Sequence, residues 1–155
     1  MDRMNSGKDD LFFMQLALEE ARLAGSCGEA PVGAVIVRGG EVIAAAGNRR
    51  EINKDPTAHA EIITIRRASA AVGGWRLHGC SLYVTIEPCP MCAGAIYQAR
   101  IEHLVYGAAD EKAGAAGSLM DIVRDSRLNH QVRVTSGVLA SESASLLKEF
   151  FFCRR

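Results

Sequence analysis

The chain lacks any long apolar run. Of its 155 residues 48% are apolar, yet no stretch approaches the roughly 20 apolar residues of a membrane-spanning helix. It also lacks an excess of charge of either sign. Eighteen basic and eighteen acidic side chains cancel to a formal net charge of zero. That argues against indiscriminate binding to a polyanion and leaves room for a local basic patch. No internal repeat, low-complexity tract or long linker interrupts the chain, so one domain over residues 1–155, long enough for a real core, is the expectation. The start, Met1-Asp2-Arg3-Met4-Asn5, is polar and runs straight into an amphipathic stretch. A signal peptide is not expected, which leaves a cytoplasmic location as the default. Disulfide spacing is missing as well. Cys89 and Cys92 form a C-x-x-C pair, while Cys27, Cys80 and Cys153 are scattered. An odd count without a framework fits a reducing compartment and metal use.

What is present is periodic. Leu11, Met14, Leu18 and Ala21 recur at helical spacing, with Lys8, Gln15, Glu19 and Arg22 off that stripe. The pattern predicts a helix over about residues 9–24, ended by Gly25-Ser26-Cys27-Gly28. Val32–Val37, Gly39-Gly40 and Glu41–Ala44 read as a β-hairpin with a two-residue glycine turn. Residues 47–57 are polar and carry Arg49, Arg50, Lys54, Asp55 and Pro56, so they form a loop. A helix over about 58–72 follows, closed by Gly73-Gly74. Leu82–Ile86 is a buried-looking strand. Pro90 suits the first position of a helix that runs to about Arg100. His103–Tyr106 is a further strand. A Gly/Ala-rich segment then includes a short helical piece around Leu119–Val123. Val132 and Val134 mark a last strand, and a final helix from near Ser141 buries Leu146, Leu147 and Phe150. This order predicts one sheet covered by helices on both faces.

Two short motifs carry the chemistry. They are His59-Ala60-Glu61 and Pro88-Cys89-Pro90-Met91-Cys92. His59, Cys89 and Cys92 make a three-ligand set for Zn²⁺, which leaves a tetrahedral ion one open position for water. A carboxylate beside such a water makes a hydrolytic site. With Pro90 at the first helical position, Cys89 is the cap and Cys92 lies in the first turn. The free N–H groups and positive end of the helix stabilise thiolates there. Glu61 lies about 200° around a regular helix from His59. His59 is therefore expected at a frayed first turn, with Glu61 reaching past the ion. Other readings remain open. C-x-x-C alone also serves redox chemistry, and Glu61 alone could be a helix-dipole partner. His78, His103 or Cys80 could close the metal site, although Cys80 is a strand length away.

From about residue 10 to its end, the chain resembles the bacterial tRNA-specific adenosine deaminases of the cytidine deaminase-like superfamily. H-x-E followed by P-C-x-x-C is the known signature of the zinc-dependent nucleobase deaminases. The resemblance extends over Pro31–Val35, Asn48-Arg49, Asp55–Glu61, Tyr83–Cys89 and Met91–Ala95. It includes Gly114–Asp121 with the preceding Asp110 and Lys112, and the ending Phe151-Phe152 with Arg154-Arg155. The zinc motif indicates only the superfamily; the 110–121 segment narrows the resemblance to the tRNA enzymes.

The resemblance implies a three-layer α/β/α fold with a five-stranded mixed sheet. It implies a homodimer with one Zn²⁺ per subunit. The substrate would be the wobble adenosine in the anticodon stem-loop of an arginine tRNA, converted to inosine. His59, Cys89 and Cys92 would hold zinc, and Glu61 would shuttle protons. Asn48 and the Ala60 backbone would meet the flipped purine, and Asp110 a neighbouring nucleotide. Pro31 and Arg154 complete the substrate-contacting set.

The residues themselves support parts of this. Asn offers both a donor and an acceptor to a purine edge, although Asn48 also reads as a turn residue after Gly47. Arg49, Arg50, Lys54, Arg154 and Arg155 could form a phosphate-binding rim or a solvated surface. Gly47, Ala30 and Ala113 depart from the family pattern and could widen the pocket rim. Met91, Ile96 and Tyr97 add weak support for a dimer. Two other functions compete. One is a deaminase of a free base, nucleoside or nucleotide of the guanine or cytosine type. The other is a non-catalytic zinc protein that binds nucleic acid.

Overall fold

The computed structural model describes residues 6–154. Met1–Asn5, on which the expectation about a leader rests, and Arg155 of the basic rim lie outside the described residues. The elements run α1 (Ser6–Ser26), β1 (Gly33–Arg38), β2 (Glu41–Gly47), α2 (Ala60–Val72), β3 (Cys80–Ile86), α3 (Pro90–Gln98), β4 (His103–Ala108), β5 (Arg133–Thr135) and α4 (Ala140–Phe152). The five strands form one sheet in the order β2-β1-β3-β4-β5. β1 pairs antiparallel with β2 and β3, while β3, β4 and β5 run parallel. The sheet is therefore mixed, with helices on both faces, as expected.

Alternation along the strands builds the layers. Ala34, Ile36, Leu82, Val84, Leu104 and Tyr106 face one side, where Ala60 and Ala68 of α2 and Ala93 and Ile96 of α3 cover them. Val35, Val37, Tyr83 and Val105 face the other, against Phe13, Met14 and Ala17 of α1. Gly33 lets α1 lie very close to the sheet. A Cβ there would stand 2.1 Å from the Ala17 carbonyl oxygen and 2.4 Å from the Ala21 nitrogen.

Several details differ from the sequence expectations. Leu11 is 46% exposed. At its level Tyr83 donates to Asp10 Oδ1 at 2.7 Å and its ring packs on Phe13 at 5.3 Å, so Asp10 and Phe13 face the sheet and Leu11 turns outward. No helix forms over Leu119–Val123; Ala116 and Asp121 pair there as an isolated antiparallel bridge. The nearby N–H groups are used elsewhere. Leu119 and Met120 donate to the Gly114 carbonyl, and Ala116 and Ser118 to Glu87. In α4, Leu146, Leu147 and Phe150 are only partly buried, and Ser143 is the buried residue. Its Oγ would meet a Cβ at Gly107 at 2.6 Å, so a small side chain is required at this contact. Ile96 is fully buried in the core and contributes nothing to an exposed apolar face.

The topology positions the site. The α2 and α3 helices pack against each other. Their N-termini, after the polar loop and after β3, meet beyond the C-terminal end of β3.

Candidate active site

His59 and Cys89 occupy equivalent places. Each is the N-cap of its helix with an extended backbone, φ −73° and ψ 154° for His59, φ −73° and ψ 174° for Cys89. Pro90 stands in the first turn of α3. Neither side chain caps its own helix; instead they meet. His59 Nδ1 lies 3.7 Å from Cys89 Sγ and 3.4 Å from Cys92 Sγ. The three donor atoms all fall within 4.8 Å of one another.

These distances suit one small cation. Zn–S near 2.3 Å and Zn–N near 2.0 Å in a tetrahedron separate N from S by about 3.5 Å. A borderline imidazole and two soft thiols are also zinc's preferred donors. Among the described residues no fourth His, Cys, Asp or Glu joins the group. Cys80 is buried at the opposite end of β3, with its thiol toward the His78 carbonyl, and His103 bonds Thr135 Oγ1 at 2.8 Å. Cys80 and His103 are thus engaged elsewhere, and exposed His78 sits beside Cys80 outside the donor group.

Glu61 is 4% exposed in the first turn of α2. Burial pushes its pKa up, opposed by the helix backbone and by His59. The hydrogen bond to the Cys89 sulfur raises the His59 pKa against burial. Cys89 is held down to about 4, chiefly by its hydrogen bond with Cys92. Cys92, fully buried, is pushed strongly up by that same bond and by burial.

A cavity of about 140 Å³ opens beside this cluster. His59, Ala60, Glu61 and Cys89 form its floor. Ala30, Val32, Asn48 and Arg50 line one wall, and Ile86, Glu87 and Asp110 the other. Asn48 is 8% exposed, and its Oδ1 is buried without a hydrogen-bond partner. The Asp110 carboxylate accepts from the N–H groups of Lys112 and Ala113 at 3.1 and 3.2 Å.

The remaining expected residues lie further out. Pro31 is buried between Ala30 and Val32 and does not line the cavity. Arg154 stacks its guanidinium over Phe150 at 3.7 Å, near Gly28. Of the basic loop, Arg50 reaches the cavity, whereas Arg49 lines an adjoining groove with Gly47, Leu23 and Arg67. Of the three departures from the family pattern, Ala30 lines the cavity and Gly47 does not. A Cβ at Gly47 would meet the Glu20 carbonyl oxygen at 2.8 Å. That residue therefore governs the approach of α1.

Sequence reasoning assigned nothing to two buried carboxylates, Glu29 and Glu87, which are 1% and 2% exposed. The available signal was an acidic residue inside each motif, Glu29 before Ala30-Pro31 and Glu87 before Pro88-Cys89.

The fold and the cluster place the chain among the deaminases: a model of the MafB19-like deaminase family matches residues 8–155, so the chain belongs to that family. Within that class its relatives are tRNA-specific adenosine deaminases, and the chain belongs to their family. It is 54% identical over 140 residues to the tRNA-specific adenosine deaminase of Agrobacterium fabrum, covering 90% of this chain and 91% of that one. It is 49% identical over 142 residues to that of Bacillus subtilis, covering 92% and 88%. A structure from work on A-to-I editing by tRNA:A34 deaminases at the wobble position superposes with a TM-score of 0.85 and 52% identity, over 88% of this chain and 99% of that one. A guanine deaminase from Nitrosomonas europaea superposes with a TM-score of 0.81 at 25% identity, over 92% and 85%.

Proposed function

We propose that this chain hydrolyses the exocyclic amine of the wobble adenosine in a tRNA anticodon loop, giving inosine and ammonia. The observation that carries the reading is one cavity holding both Glu61 and the unpartnered Oδ1 of Asn48. A buried acid stands beside a buried, unused acceptor, as a purine edge and its leaving amine require. His59, Cys89 and Cys92 would hold one Zn²⁺ per subunit, and the ion would supply Lewis acidity that makes water nucleophilic near neutral pH.

Glu61 takes a proton from the water that attacks C6 and delivers it to N1 of the ring. It then carries the second proton to the departing amine. Asn48 fixes the purine edge, and the Ala60 backbone meets the base above the floor. Asp110 shapes the contacts with neighbouring nucleotides, and buried Pro31 only fixes the course of its neighbours Ala30 and Val32 along the cavity. Arg50 and Arg154 supply phosphate-facing charge without requiring a basic chain overall. A single-stranded loop is the natural substrate because its bases splay out at little cost.

We further propose one domain over residues 1–155, a cytoplasmic homodimer and an arginine tRNA as substrate, following the family resemblance. Exposed Met91 and half-buried Tyr97 on α3 favour the dimer. Among the described residues no helix is long and apolar enough to cross a membrane.

The likeness to guanine deaminases favours one second reading, turnover of a free base. Incubating zinc-loaded protein separately with an anticodon stem-loop, adenosine, guanine and cytidine separates the two. Inosine formed only in the RNA is expected. Turnover of a free base with none in RNA would sink the tRNA reading.

A further inference from the structure

Two acidic side chains near the cavity take no part in the proton transfers above. Glu87 follows β3 directly, two residues before Cys89, and its carboxylate bonds to the 110–118 loop. Glu87 Oε1 accepts the Asp110 N–H at 3.0 Å and the Ser118 hydroxyl. Oε2 accepts the N–H groups of Ala116 and Ser118, each at 3.0 Å. Both oxygens are thus doubly used, and every donor comes from one loop. Gly114 packs on the same carboxyl group: a Cβ there would stand 2.3 Å from Glu87 Cδ. On the opposite wall, Glu29 does the same for the 49–53 loop. Its oxygens accept the N–H groups of Glu51 at 3.1 Å and Ile52 at 2.7 Å.

Neither carboxylate is paired with a cation, since the two ion pairs among the described residues are Arg124–Asp121 and Arg127–Asp125. Each is a buried anion neutralised by loop N–H dipoles. Such bonds are roughly twice as strong as neutral ones, and an unpaired buried charge would be costly. The loops in question carry the cavity residues Asp110 and Arg50.

We infer that Glu29 and Glu87 are positioning residues that preorganise the two substrate-recognising walls, so that the RNA meets loops already ordered. The inference rests on the tRNA reading of the site. Preorganisation lowers the ordering entropy lost when substrate binds. Its removal therefore appears mainly in KM, because the two carboxylates bond to loop groups and not to Glu61, His59, Cys89 or Cys92.

The test uses Glu87→Gln, Glu29→Gln, Gly114→Ala and Ser118→Ala in the zinc-loaded protein. An amide cannot serve Glu87's donors in either orientation, because its NH₂ would face two donors. Gly114→Ala displaces the same carboxylate without removing its charge, and Ser118→Ala deletes one bond and leaves the fold nearly untouched. The readouts are zinc content, melting temperature, and kcat and KM on the anticodon stem-loop. The expectation is full zinc and a KM raised about tenfold for Glu87→Gln and Gly114→Ala. Glu29→Gln should raise KM less, and Ser118→Ala about twofold. Lower melting temperatures with unchanged KM would make the two residues merely structural and overturn the inference. So would an unchanged KM in Ser118→Ala together with zinc loss in the other three. If the wild type fails on the stem-loop while turning over a free base, the tRNA reading fails instead, and the two outcomes stay distinct.

Discussion

His59 and Glu61 are two residues apart and line the same cavity because they do not share a backbone conformation. His59 is extended, at φ −73° and ψ 154°, and Glu61 is inside the first turn of α2. On a continuous helix their side chains would diverge by about 200°. Placing the break at His59 lets the imidazole turn to the cysteines while Glu61 stays at the cavity floor.

Glu61→Ala should keep stoichiometric zinc and lose deamination by about 10²- to 10⁴-fold. Metal content by elemental analysis, beside turnover on the stem-loop, checks this. A variant that loses its zinc would make Glu61 a structural residue.

Asn48→Ala should lower kcat/KM about 10- to 100-fold with little change in melting temperature. The reason is that Oδ1 has no protein partner to lose. A turn role for Asn48 predicts the reverse, a drop in stability with normal kinetics.

Arg154→Ala should weaken RNA binding more at low salt than at high salt. The slope of log K against log salt should fall by about one unit for each phosphate contact removed. Binding titrations over a salt series measure it. An identical slope would confine Arg154 to its stacking on Phe150.

Stability should fall on acidification through His103. Burial, then Arg133, depresses its pKa below the ordinary 6.5, against Asp10. The unfolded chain therefore binds this proton more readily than the folded one. The contribution is fully present above pH 6.5 and is lost as pH falls through 6.5 toward the lower folded value. Urea melts at pH 7.5 and 5.5 should show a larger acid loss for the wild type than for His103→Gln. Equal losses would remove His103 from the pH dependence.

The Cys89–Cys92 half of the candidate metal site was legible in the sequence because its spacing is local, whereas His59, 30 residues from Cys89, was marked only by its own H-x-E motif. Pro90 defines a helix start, which makes Cys89 a cap and Cys92 a first-turn residue. The hairpin at Gly39-Gly40 was legible for the same reason. The 110–121 segment was not. Its Gly/Ala content permitted a helical turn, but Leu119 and Met120 donate to the Gly114 carbonyl and Ile122 to that of Ala115, in a loop whose preceding Ala116 and Ser118 N–H groups are held by distant Glu87. The inward turn of Asp10 and Phe13 in α1 was hidden likewise, since it depends on Tyr83 across the chain.

Residue types and short spacings thus established the donor set, the acid beside it and the α/β order. Backbone geometry within one turn dictates those features. Packing established which residues share the cavity with them. Asn48 and Glu61 lie on different parts of the chain, and Pro31 is buried although its neighbours Ala30 and Val32 line the cavity. Glu29 and Glu87 acquire their partners only when distant loops close onto them. Long-range hydrogen bonds and burial have no signature in local spacing, so those assignments awaited the folded chain.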